Sequence, residues 1–268
     1  MDSSTLLSIK NFSEFTGIKQ STLRYYDEIG LLSPVARGEN NYRYYTPDQI
    51  IVLNFIKVLI NLNVPLSTIK DLLINRTPES ILELLGQQEI KLDAQLHALQ
   101  TAYSVVHTFR ENIQAGLLAD ISKFSVRVLE ETSVIIGDTN TFDETGIFYK
   151  PFIEFCNKAE EKRINLDYPI GGYHESFDAF YKTPGQPDRW FSLDPRGNYK
   201  RQAGLHLVGY TQGYYGVFGD LPQKMVDYAQ AHDLMIHGPV FVIYLLDEVS
   251  MIDPSKYLAQ ITVGVKKK

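Results

Sequence analysis

Arginine and tyrosine side chains that could bind phosphate groups are concentrated between residues 37 and 45. The run Tyr42-Arg43-Tyr44-Tyr45 follows Arg37-Gly38-Glu39-Asn40-Asn41, a stretch whose glycine and asparagines favour a tight reversal of the chain. Guanidinium groups and tyrosine hydroxyls donate hydrogen bonds that suit phosphate oxygens. The pattern therefore predicts a small β-wing that carries phosphate-binding side chains.

Other chemistry is poorly represented in the sequence. Cys156 is the only cysteine, which excludes an internal disulfide framework and a metal site built from several cysteines. The six histidines show no pair at the spacing of metal ligands, and no nucleophile stands beside a candidate base. We therefore expect no metal, no cofactor and no catalytic site.

Composition sets bounds on the protein class. The 268 residues allow two or three domains, and 44% hydrophobic with 22% charged residues is ordinary for a folded protein. The sequence has no apolar run long enough to span a membrane and no signal-peptide pattern, so we expect a cytoplasmic protein without membrane contact. The net charge is −6, although residues 1–76 carry eight Lys and Arg against seven Asp and Glu. Charge alone therefore does not predict a nucleic-acid partner.

Two short predicted helices precede the wing and would position its side chains. Ser8 is suited to cap a helix over residues 8–15, and a break separates it from a helix over residues 19–29 that ends at Gly30. This outline is typical of a helix-turn-helix, whose second helix can lie in a major groove, although many helical proteins contain such a pair. After the wing, a capped helix opens at residues 46–49, and another short helix follows.

A long helix is predicted over residues 77–118. Thr77 suits its N-cap and Pro78 its first position. An apolar residue recurs every seventh position, at Leu85, Leu92, Leu99, Val106 and Ile113. At a rise of about 1.5 Å per residue the helix would extend about 60 Å, longer than one domain needs for its core. The seam predicts a coiled coil between two chains, with packing inside one chain as the alternative.

The remainder, residues 124–268, alternates short strand-like segments with helix-like ones. Strands are predicted over residues 125–130, 133–137, 168–177, 206–218, 240–246 and 257–265, and helices over residues 146–162 and 221–232. This order predicts an α+β domain. Tyrosines are frequent, and a tyrosine joins a flat apolar face to a hydrogen-bonding tip, which suits a pocket for planar aromatic molecules. Most of these aromatic side chains could equally fill a core.

Residues 7–75 resemble the DNA-binding domain of the MerR family of transcription regulators. The resemblance rests on the signature Thr22-Leu23-Arg24-Tyr25-Tyr26-Asp27-Glu28-Ile29-Gly30-Leu31, on the wing Tyr42-Arg43-Tyr44-Tyr45 and on the capped helix after it. It implies that the long helix pairs antiparallel with its twin in a homodimer. It also implies an activator that binds a pseudo-palindromic operator and bends and untwists promoter DNA for RNA polymerase.

The closing portion of the chain, residues 238–244 and 261–263, is similar to the GyrI-like ligand-binding domain. That domain is the effector module of the multidrug-sensing branch of the same family. The expected fold class is therefore multidomain. It comprises an all-α winged helix-turn-helix domain at residues 1–76, a dimerisation helix at 77–118 in an antiparallel coiled coil, and an α+β GyrI-like effector-binding domain at 124–268.

Side-chain chemistry within this resemblance assigns the DNA-binding residues. Those at the start of the recognition helix should reach base edges or flanking phosphates, and they are Lys19, Gln20, Thr22 and Arg24. Those expected to bind the DNA backbone are Tyr25, Arg37, Tyr42 and Arg43. Leu23 and Tyr26 should be core residues. Asp27 and Glu28 should be solvated or paired locally, because phosphate repels a carboxylate.

The expected ligand-binding residues are mostly aromatic: Tyr149, Tyr173, Glu175, Phe177, Trp190, Phe218, Val242 and Tyr244. Strand alternation would place Tyr173, Glu175 and Phe177 on one face. In the multidrug sensors, the strand after Gly-Pro usually carries a glutamate that meets cationic ligands, and Val242 takes that place here. Either Glu175 supplies the carboxylate or the pocket prefers neutral molecules, and we expect the latter.

These observations predict a ligand-responsive transcriptional activator that senses small aromatic or drug-like molecules and remodels promoter DNA. The expected partners are promoter DNA, RNA polymerase, the effector and a second copy of the chain. A GyrI-like small-molecule hydrolase is one alternative, because some such domains resemble hydrolases that use a pocket carboxylate, here Glu175 with Trp190 and Tyr244. A ligand-sequestering or purely interacting protein fused to a DNA-binding domain is the other alternative.

Overall fold

The computed structural model describes residues 6–142, 149–161 and 166–268. The chain divides into two compact units, Met1–Ala98 and Leu99–Lys268. The division falls inside a long helix, so the two units share that helix. The three separate domains expected from the sequence remain a prediction. In the described part of the chain, no helix combines the length and the apolar character needed to cross a membrane.

The first unit begins with the two helices that the sequence predicts. Helix α1 (Ile9–Thr16) starts at Ser8, whose side-chain oxygen accepts a backbone N–H of the first turn at 3.2 Å. Gly17 ends α1 with a φ of 70°, a left-handed conformation that glycine adopts without steric cost. Helix α2 (Gln20–Glu28) follows, and Gly30 is again left-handed just beyond its end. The helix-turn-helix prediction is confirmed.

Three short strands accompany these helices: β1 (Leu7–Ser8), β2 (Ala36–Arg37) and β3 (Arg43–Tyr45). They pair antiparallel with β3 in the centre, and a 3₁₀ turn connects β2 to β3. The wing is present as predicted, but the presence of a sheet means that this domain is not all-α. Strand β3 also contributes to the core, since Tyr45 is fully buried and stacks on Phe12 with ring centroids 4.4 Å apart.

Two more helices complete the first unit, α3 (Asp48–Asn61) and α4 (Leu66–Ile74). Half of the predicted capping box forms before α3, where the Thr46 backbone N–H donates to Gln49 Oε1 at 3.1 Å. The apolar faces of the four helices meet in one core, and removing these side chains from water stabilises the unit. Its fully buried members are Phe12, Leu23, Tyr45, Leu53, Ile56, Leu59 and Ile69.

Helix α5 (Pro78–Leu118) has the bounds that the sequence predicts. Thr77 and Ser80 cap its start reciprocally. The Ser80 N–H donates to Thr77 Oγ1 at 3.2 Å, and the Thr77 N–H donates to Ser80 Oγ at 3.0 Å. Every side chain from residue 91 to residue 100 is exposed. Burial within its own chain therefore does not stabilise the middle of this 41-residue helix.

The second unit contains, among its described residues, an eight-stranded antiparallel sheet. The strands are β4 (Ser125–Leu129), β5 (Thr132–Thr139), β6 (Ile170–His174), β7 (Arg189–Ser192), β8 (Tyr199–Arg201), β9 (Gly204–Gln212), β10 (Leu234–Leu246) and β11 (Leu258–Lys267). The helices are α6 (Tyr149–Glu161), α7 (Phe177–Lys182) and α8 (Leu221–Ala231). The strands lie across the sheet in the order β4-β9-β11-β10-β6-β7-β5-β8. Helices beside an antiparallel sheet fit the predicted α+β class.

The centre of the sheet is the hairpin of β10 and β11. On one face this hairpin packs against α7 and α8 through a buried apolar cluster that includes Phe180, Leu207, Met225, Ile261 and Val263. At the end of β10, the sheet meets the last turns of α5. A Cβ added to Gly116 would lie 2.7 Å from Leu246 Cγ, so the helix approaches the strand closely because this glycine has no side chain.

Two predicted strands of the second unit extend too far, and the one expected over residues 206–218 ends at Gln212. The strand expected over residues 168–177 ends at His174, because Ser176 caps α7 and Phe177 is the first residue of that helix. Strands β7 and β8 were not predicted, because they are short and half or more of their residues are polar. The helix expected over residues 146–162 corresponds to α6, and its predicted ends lie outside the described residues.

Candidate DNA-binding surface and ligand cavity

Helix α2 separates its side chains into a buried face and a polar face. Leu23 and Tyr26 are buried in the core, as expected. The predicted recognition-helix residues are partly or fully exposed: Lys19, Gln20, Thr22, Arg24 and Tyr25. Their ammonium, amide, hydroxyl and guanidinium groups are those that bind base edges and phosphates. The structure thus presents these side chains on one surface helix, and their contacts to DNA remain a prediction.

One buried carboxylate ties the wing to α2. Asp27 Oδ2 accepts a hydrogen bond from Arg37 Nη2 at 2.7 Å and another from Arg43 Nε at 2.6 Å. The Asp27 side chain is only 4% exposed, whereas those of Arg37 and Arg43 are 42% and 18% exposed. Asp27 is therefore paired rather than solvated, with partners that lie 10 and 16 residues along the chain. Two guanidinium groups against one carboxylate leave a net positive charge.

These ion pairs limit but do not abolish what the wing can offer to DNA. A guanidinium carries five N–H donors in a planar fork, and Asp27 accepts one hydrogen bond from each arginine. Tyr42, beside Arg43 in the chain, is also exposed. The wing can therefore donate to phosphate oxygens, with the direction of both arginines fixed by their pairing to Asp27.

The second unit encloses a cavity of about 470 Å³. Its floor includes Gly172 of β6 and Val242 of β10, which lie opposite each other in the sheet. At one place in the wall, Phe152 meets Trp190 edge to face with ring centroids 5.3 Å apart. The volume and the apolar lining suit a small molecule with fused aromatic rings.

Four tyrosines form another part of the cavity wall: Tyr214, Tyr215, Tyr244 and Tyr257. The Tyr215 ring centroid lies 4.4 Å from that of Tyr244 and 5.5 Å from that of Tyr257. The Tyr244 oxygen accepts the Gly216 backbone N–H at 3.1 Å, and burial raises the pKa of this hydroxyl to about 12. These contacts fix the positions of the tyrosine rings in the cavity wall.

Two carboxylates, Asp247 and Glu248, line the cavity beside these tyrosines. The Tyr215 hydroxyl donates to Glu248 Oε2. Asp247 Oδ1 accepts the Val249 backbone N–H at 3.0 Å, which shapes the turn after β10. Burial raises the pKa of Asp247 above its usual value of 3.8. Neither acid was predicted from the sequence, although an Asp-Glu pair directly after the strand of Val242 and Tyr244 was a visible signal.

The structure brings together four of the predicted ligand-binding residues: Trp190, Phe218, Val242 and Tyr244. Tyr173 pairs with Phe241 across the sheet, one residue away from the pair that forms the cavity floor. Because side chains alternate along a strand, Tyr173 points to the opposite face. Phe177 packs in the apolar cluster beneath α7 instead. Tyr149 is the first residue of α6, and its side chain lies outside the described residues.

Glu175 lines a separate polar cleft with Tyr173, Arg189 and Tyr199. Its Oε1 accepts a hydrogen bond from Arg189 Nε at 2.9 Å, and its Oε2 accepts one from the Tyr173 hydroxyl at 3.1 Å. The suggestion that Glu175 supplies the carboxylate of the aromatic cavity is therefore wrong. Asp247 and Glu248 are the carboxylates that line this cavity.

Phe109 and His174 are among the other cavity residues that were not predicted from the sequence. Phe109 belongs to α5, and it lies outside the seven-residue apolar series, so its sequence position gave no sign of a ligand site. His174, the last residue of β6, also lines the cavity, although the six histidines showed no pattern in the sequence. Among the described residues, no cluster of three or more His, Cys, Asp or Glu side chains could hold a metal ion.

A winged helix-turn-helix unit and a second unit with an aromatic, acidic cavity define the class of DNA-binding regulators that carry a ligand-sensing domain. Comparison with known proteins agrees with this class. Residues 7–75 match the family model described as MerR HTH family regulatory protein.

Relatives of known function are similar over most of the chain. The Multidrug-efflux transporter 2 regulator of Bacillus subtilis is 28% identical over 96% of this chain and 95% of its own length. The transcriptional regulator BrlR of Pseudomonas aeruginosa is 32% identical over 69% of this chain and 67% of its own length. The structural alignment with EcmrR from a solved EcmrR–DNA complex covers 98% of this chain and 100% of the EcmrR chain, with 16% sequence identity and a TM-score of 0.42.

The chain belongs to the MerR family of transcription regulators. The prediction made from the Arg24-Tyr25-Tyr26 signature and the wing is thereby confirmed. The prediction of a DNA-binding transcription regulator rather than an enzyme is also confirmed, because the relatives reported above are regulators.

Proposed function

We propose that this regulator binds promoter DNA as a homodimer and activates transcription when a flat, positively charged aromatic molecule occupies the cavity. The observation that carries this proposal is the cavity wall, where four tyrosine rings stand beside Asp247 and Glu248. Aromatic faces attract cations, and a carboxylate in a partly desolvated site adds to that attraction. The similarity to the regulator of a multidrug-efflux transporter supports ligands of a drug-like class.

This proposal replaces the expectation of neutral ligands. Val242 does lack a carboxylate, and it lies opposite Gly172, which carries no polar side chain either. The acidic groups that line the cavity instead lie on the turn that follows β10. A ligand can therefore lay its rings against Val242 and Trp190 and direct its charge toward Asp247.

An antiparallel coiled coil of α5 with a second copy would form the homodimer. The apolar side chains Leu82, Leu92, Leu96, Leu99, Tyr103 and Val106 are all exposed in the single chain. Their alternate spacing of three and four residues aligns most of them in one stripe along the helix. An apolar stripe of this length favours pairing with an identical stripe, because pairing removes both from water.

The homodimer would place two wings and two recognition helices on a pseudo-palindromic operator. Bending and untwisting of that operator would then align the promoter for RNA polymerase. The side chains that bind DNA would be the four at the start of α2, Lys19, Gln20, Thr22 and Arg24. Tyr25, Arg37, Tyr42 and Arg43 would bind the DNA backbone. A cytoplasmic location and a GyrI-like origin of the cavity domain are consistent with this role.

Ligand binding would act through α5, because Phe109 of this helix is itself part of the cavity wall. Two turns further along, Gly116 contacts Leu246, which directly precedes the acidic turn. A ligand held between Phe109 and Asp247 thus touches the helix and the strand end on which that helix packs. It can shift the regulator between two states only by binding one of them more tightly.

The decisive experiment is transcription in vitro. Operators are first selected from randomised DNA with the purified protein, and a promoter carrying one is then transcribed by bacterial RNA polymerase with and without the cationic dye proflavine. We expect the dye to raise transcript yield with the wild type and not with Tyr215→Ala. Tyr181→Ala, at a position outside the cavity lining, is the matched control and should respond normally. Equal yields with and without dye, at dye concentrations that saturate binding, would contradict the proposal.

A further inference from the structure

His174 is the polar side chain most completely enclosed in the cavity wall. Its side chain is 1% exposed and packs edge to face on the fully buried Phe180, with ring centroids 5.2 Å apart. It lies on the same face of the sheet as Gly172, two residues earlier on β6, because strand side chains alternate. His174 is thus built into the floor that also contains Val242.

Neither ring nitrogen of His174 makes a hydrogen bond within 3.5 Å among the described residues, although the Pro184 carbonyl interacts more weakly with the ring. Buried polar atoms in folded proteins are nearly always paired, and Pro184 can serve only one of the two nitrogens, so the other nitrogen is free to bind a ligand in the cavity. Burial lowers the pKa of His174 to about 4, while Asp188 and the nearby Pro184 carbonyl oppose that shift. The imidazole is therefore neutral near pH 7, with one N–H donor and one bare nitrogen acceptor.

Both nitrogens are enclosed in the present ring orientation. A half-turn about the Cβ–Cγ bond exchanges each nitrogen with a ring carbon and leaves the ring outline nearly unchanged. Whichever edge of the ring faces the cavity therefore carries a nitrogen in one of the two orientations. A neutral acceptor of this kind does not repel a cation, unlike an imidazolium.

We propose that His174 is a ligand-binding residue that accepts a hydrogen bond from an N–H group of the ligand, so that the cavity selects aromatic amines over fully alkylated aromatic cations. This inference rests on the proposed function, because it concerns the same cavity. Asp247 and the tyrosines attract any aromatic cation of suitable size. His174 adds a requirement for N–H that charge and shape do not impose.

A pair of acridine dyes separates these effects. Proflavine carries N–H groups, whereas in the 10-methyl acridine orange cation every N–H is replaced by N–CH₃ and the positive charge is kept. Both are titrated by fluorescence into the wild type and into His174→Phe, which keeps a flat ring against Phe180 but has no nitrogen. The control is His206→Phe, since His206 is also buried but does not line the cavity, and its Nδ1 lies 3.0 Å from the Gly204 oxygen.

We expect His174→Phe to weaken proflavine binding about tenfold and to change binding of the methylated dye less than about twofold. His206→Phe should leave the ratio of the two affinities at its wild-type value. His174→Gln, which retains an acceptor oxygen, should recover part of the preference for proflavine. Imidazole ¹⁵N NMR of the wild type gives a test without any substitution, since proflavine and not the methylated dye should shift the His174 resonances.

Equal weakening of both dyes by His174→Phe would assign His174 a packing role and overturn the inference. Unchanged ¹⁵N resonances with saturating proflavine would overturn it as well. In either case the dyes still bind, so the proposed sensing of aromatic cations survives. If neither dye binds the wild type, the proposed function fails together with this inference.

Discussion

Arg43 Nε lies 2.6 Å from Oδ2 of the buried Asp27, so a wing residue and a recognition-helix residue form one charged unit. The same Asp27 oxygen accepts a hydrogen bond from Arg37 Nη2 at 2.7 Å. Hydrogen bonds between ionised groups hold direction more strictly than neutral ones. The carboxylate thereby orients both arginines before DNA is bound, which lowers the entropy lost on binding.

Asp27→Asn should destabilise the first unit and weaken DNA binding. The substitution removes the charge that pairs with two arginines, and Arg43 would remain largely buried without a counter-ion. We expect the free energy of unfolding to fall by about 2 to 3 kcal/mol. Urea denaturation of the full-length protein measures this, with Asp48→Asn at an exposed site as the control. A variant as stable as the control would show that the ion pairs contribute little.

Arg43→Ala should weaken binding to specific and non-specific DNA alike, because a phosphate contact carries no sequence information. We expect the slope of log affinity against log salt concentration to fall by roughly one unit per half-site. Filter binding or anisotropy over a range of salt concentrations gives this slope. Thr22 or Arg24 substitutions should instead change the preferred sequence. A wild-type slope for Arg43→Ala would remove the wing from the DNA interface.

Replacing Leu92 and Leu99 together with Asp should give monomers that no longer bind operator DNA. Both side chains are exposed in the single chain, so the fold of one chain should survive. In the coiled coil, each introduced aspartate would be buried as an unpaired charge, at a cost of several kcal/mol. Light scattering reports the mass. Ile90→Asp is the control, because Ile90 is also exposed and lies about 200° around the helix from Leu92. A stable dimer of the double variant would refute the coiled coil.

Binding of permanently charged dyes should depend on pH through Asp247. Burial raises the pKa of this carboxyl, so it becomes neutral at a higher pH than an ordinary aspartate. Affinity for the 10-methyl acridine orange cation should therefore fall as the pH is lowered through this raised pKa, and it should be greatest above it. Titrations between about pH 4 and pH 7 test this. Asp247→Asn should flatten the profile, while Glu175→Gln should not.

The same pKa shift affects stability. Because the folded-state pKa of Asp247 is raised, protonated Asp247 favours the folded state below its usual pKa, and this contribution is lost as the pH rises through the raised value. A bound cation offsets the loss by pairing with the ionised group. If dye binding is instead lost in Glu175→Gln, the polar cleft and not the aromatic cavity holds the cation.

Phe109→Ala should separate ligand binding from the transcriptional response. The side chain lies in the cavity wall but outside the tyrosine and acid cluster, so we expect dye affinity to fall by less than about tenfold. DNA affinity without ligand should stay at the wild-type value. In the transcription assay the dye should then produce little activation even at saturation. Full activation of this variant by saturating dye would show that the signal reaches α5 by another contact.

Local patterns in the sequence were sufficient to predict the helix-turn-helix and wing of the first unit and the bounds of the long helix. Ser8, Gly17, Thr77 and Pro78 act within one turn of their own positions, so their capping roles follow from residue type and spacing. The Thr22-Leu31 signature and the wing were sufficient to predict the family. Of the apolar series predicted along α5, Leu92, Leu99 and Val106 are exposed, whereas Leu85 and Ile113 are half-buried.

The set of side chains that share the ligand cavity depends on how the chain folds in three dimensions. Tyr173 and Trp190 are aromatic residues of similar promise in the sequence, yet a single step of strand register sends Tyr173 to the opposite face. The ion pairs of Asp27 with two wing arginines join residues far apart in the chain, and so does the cavity wall that Phe109 shares with the turn after β10. Such contacts depend on how distant segments pack, and composition and local periodicity carry no record of that.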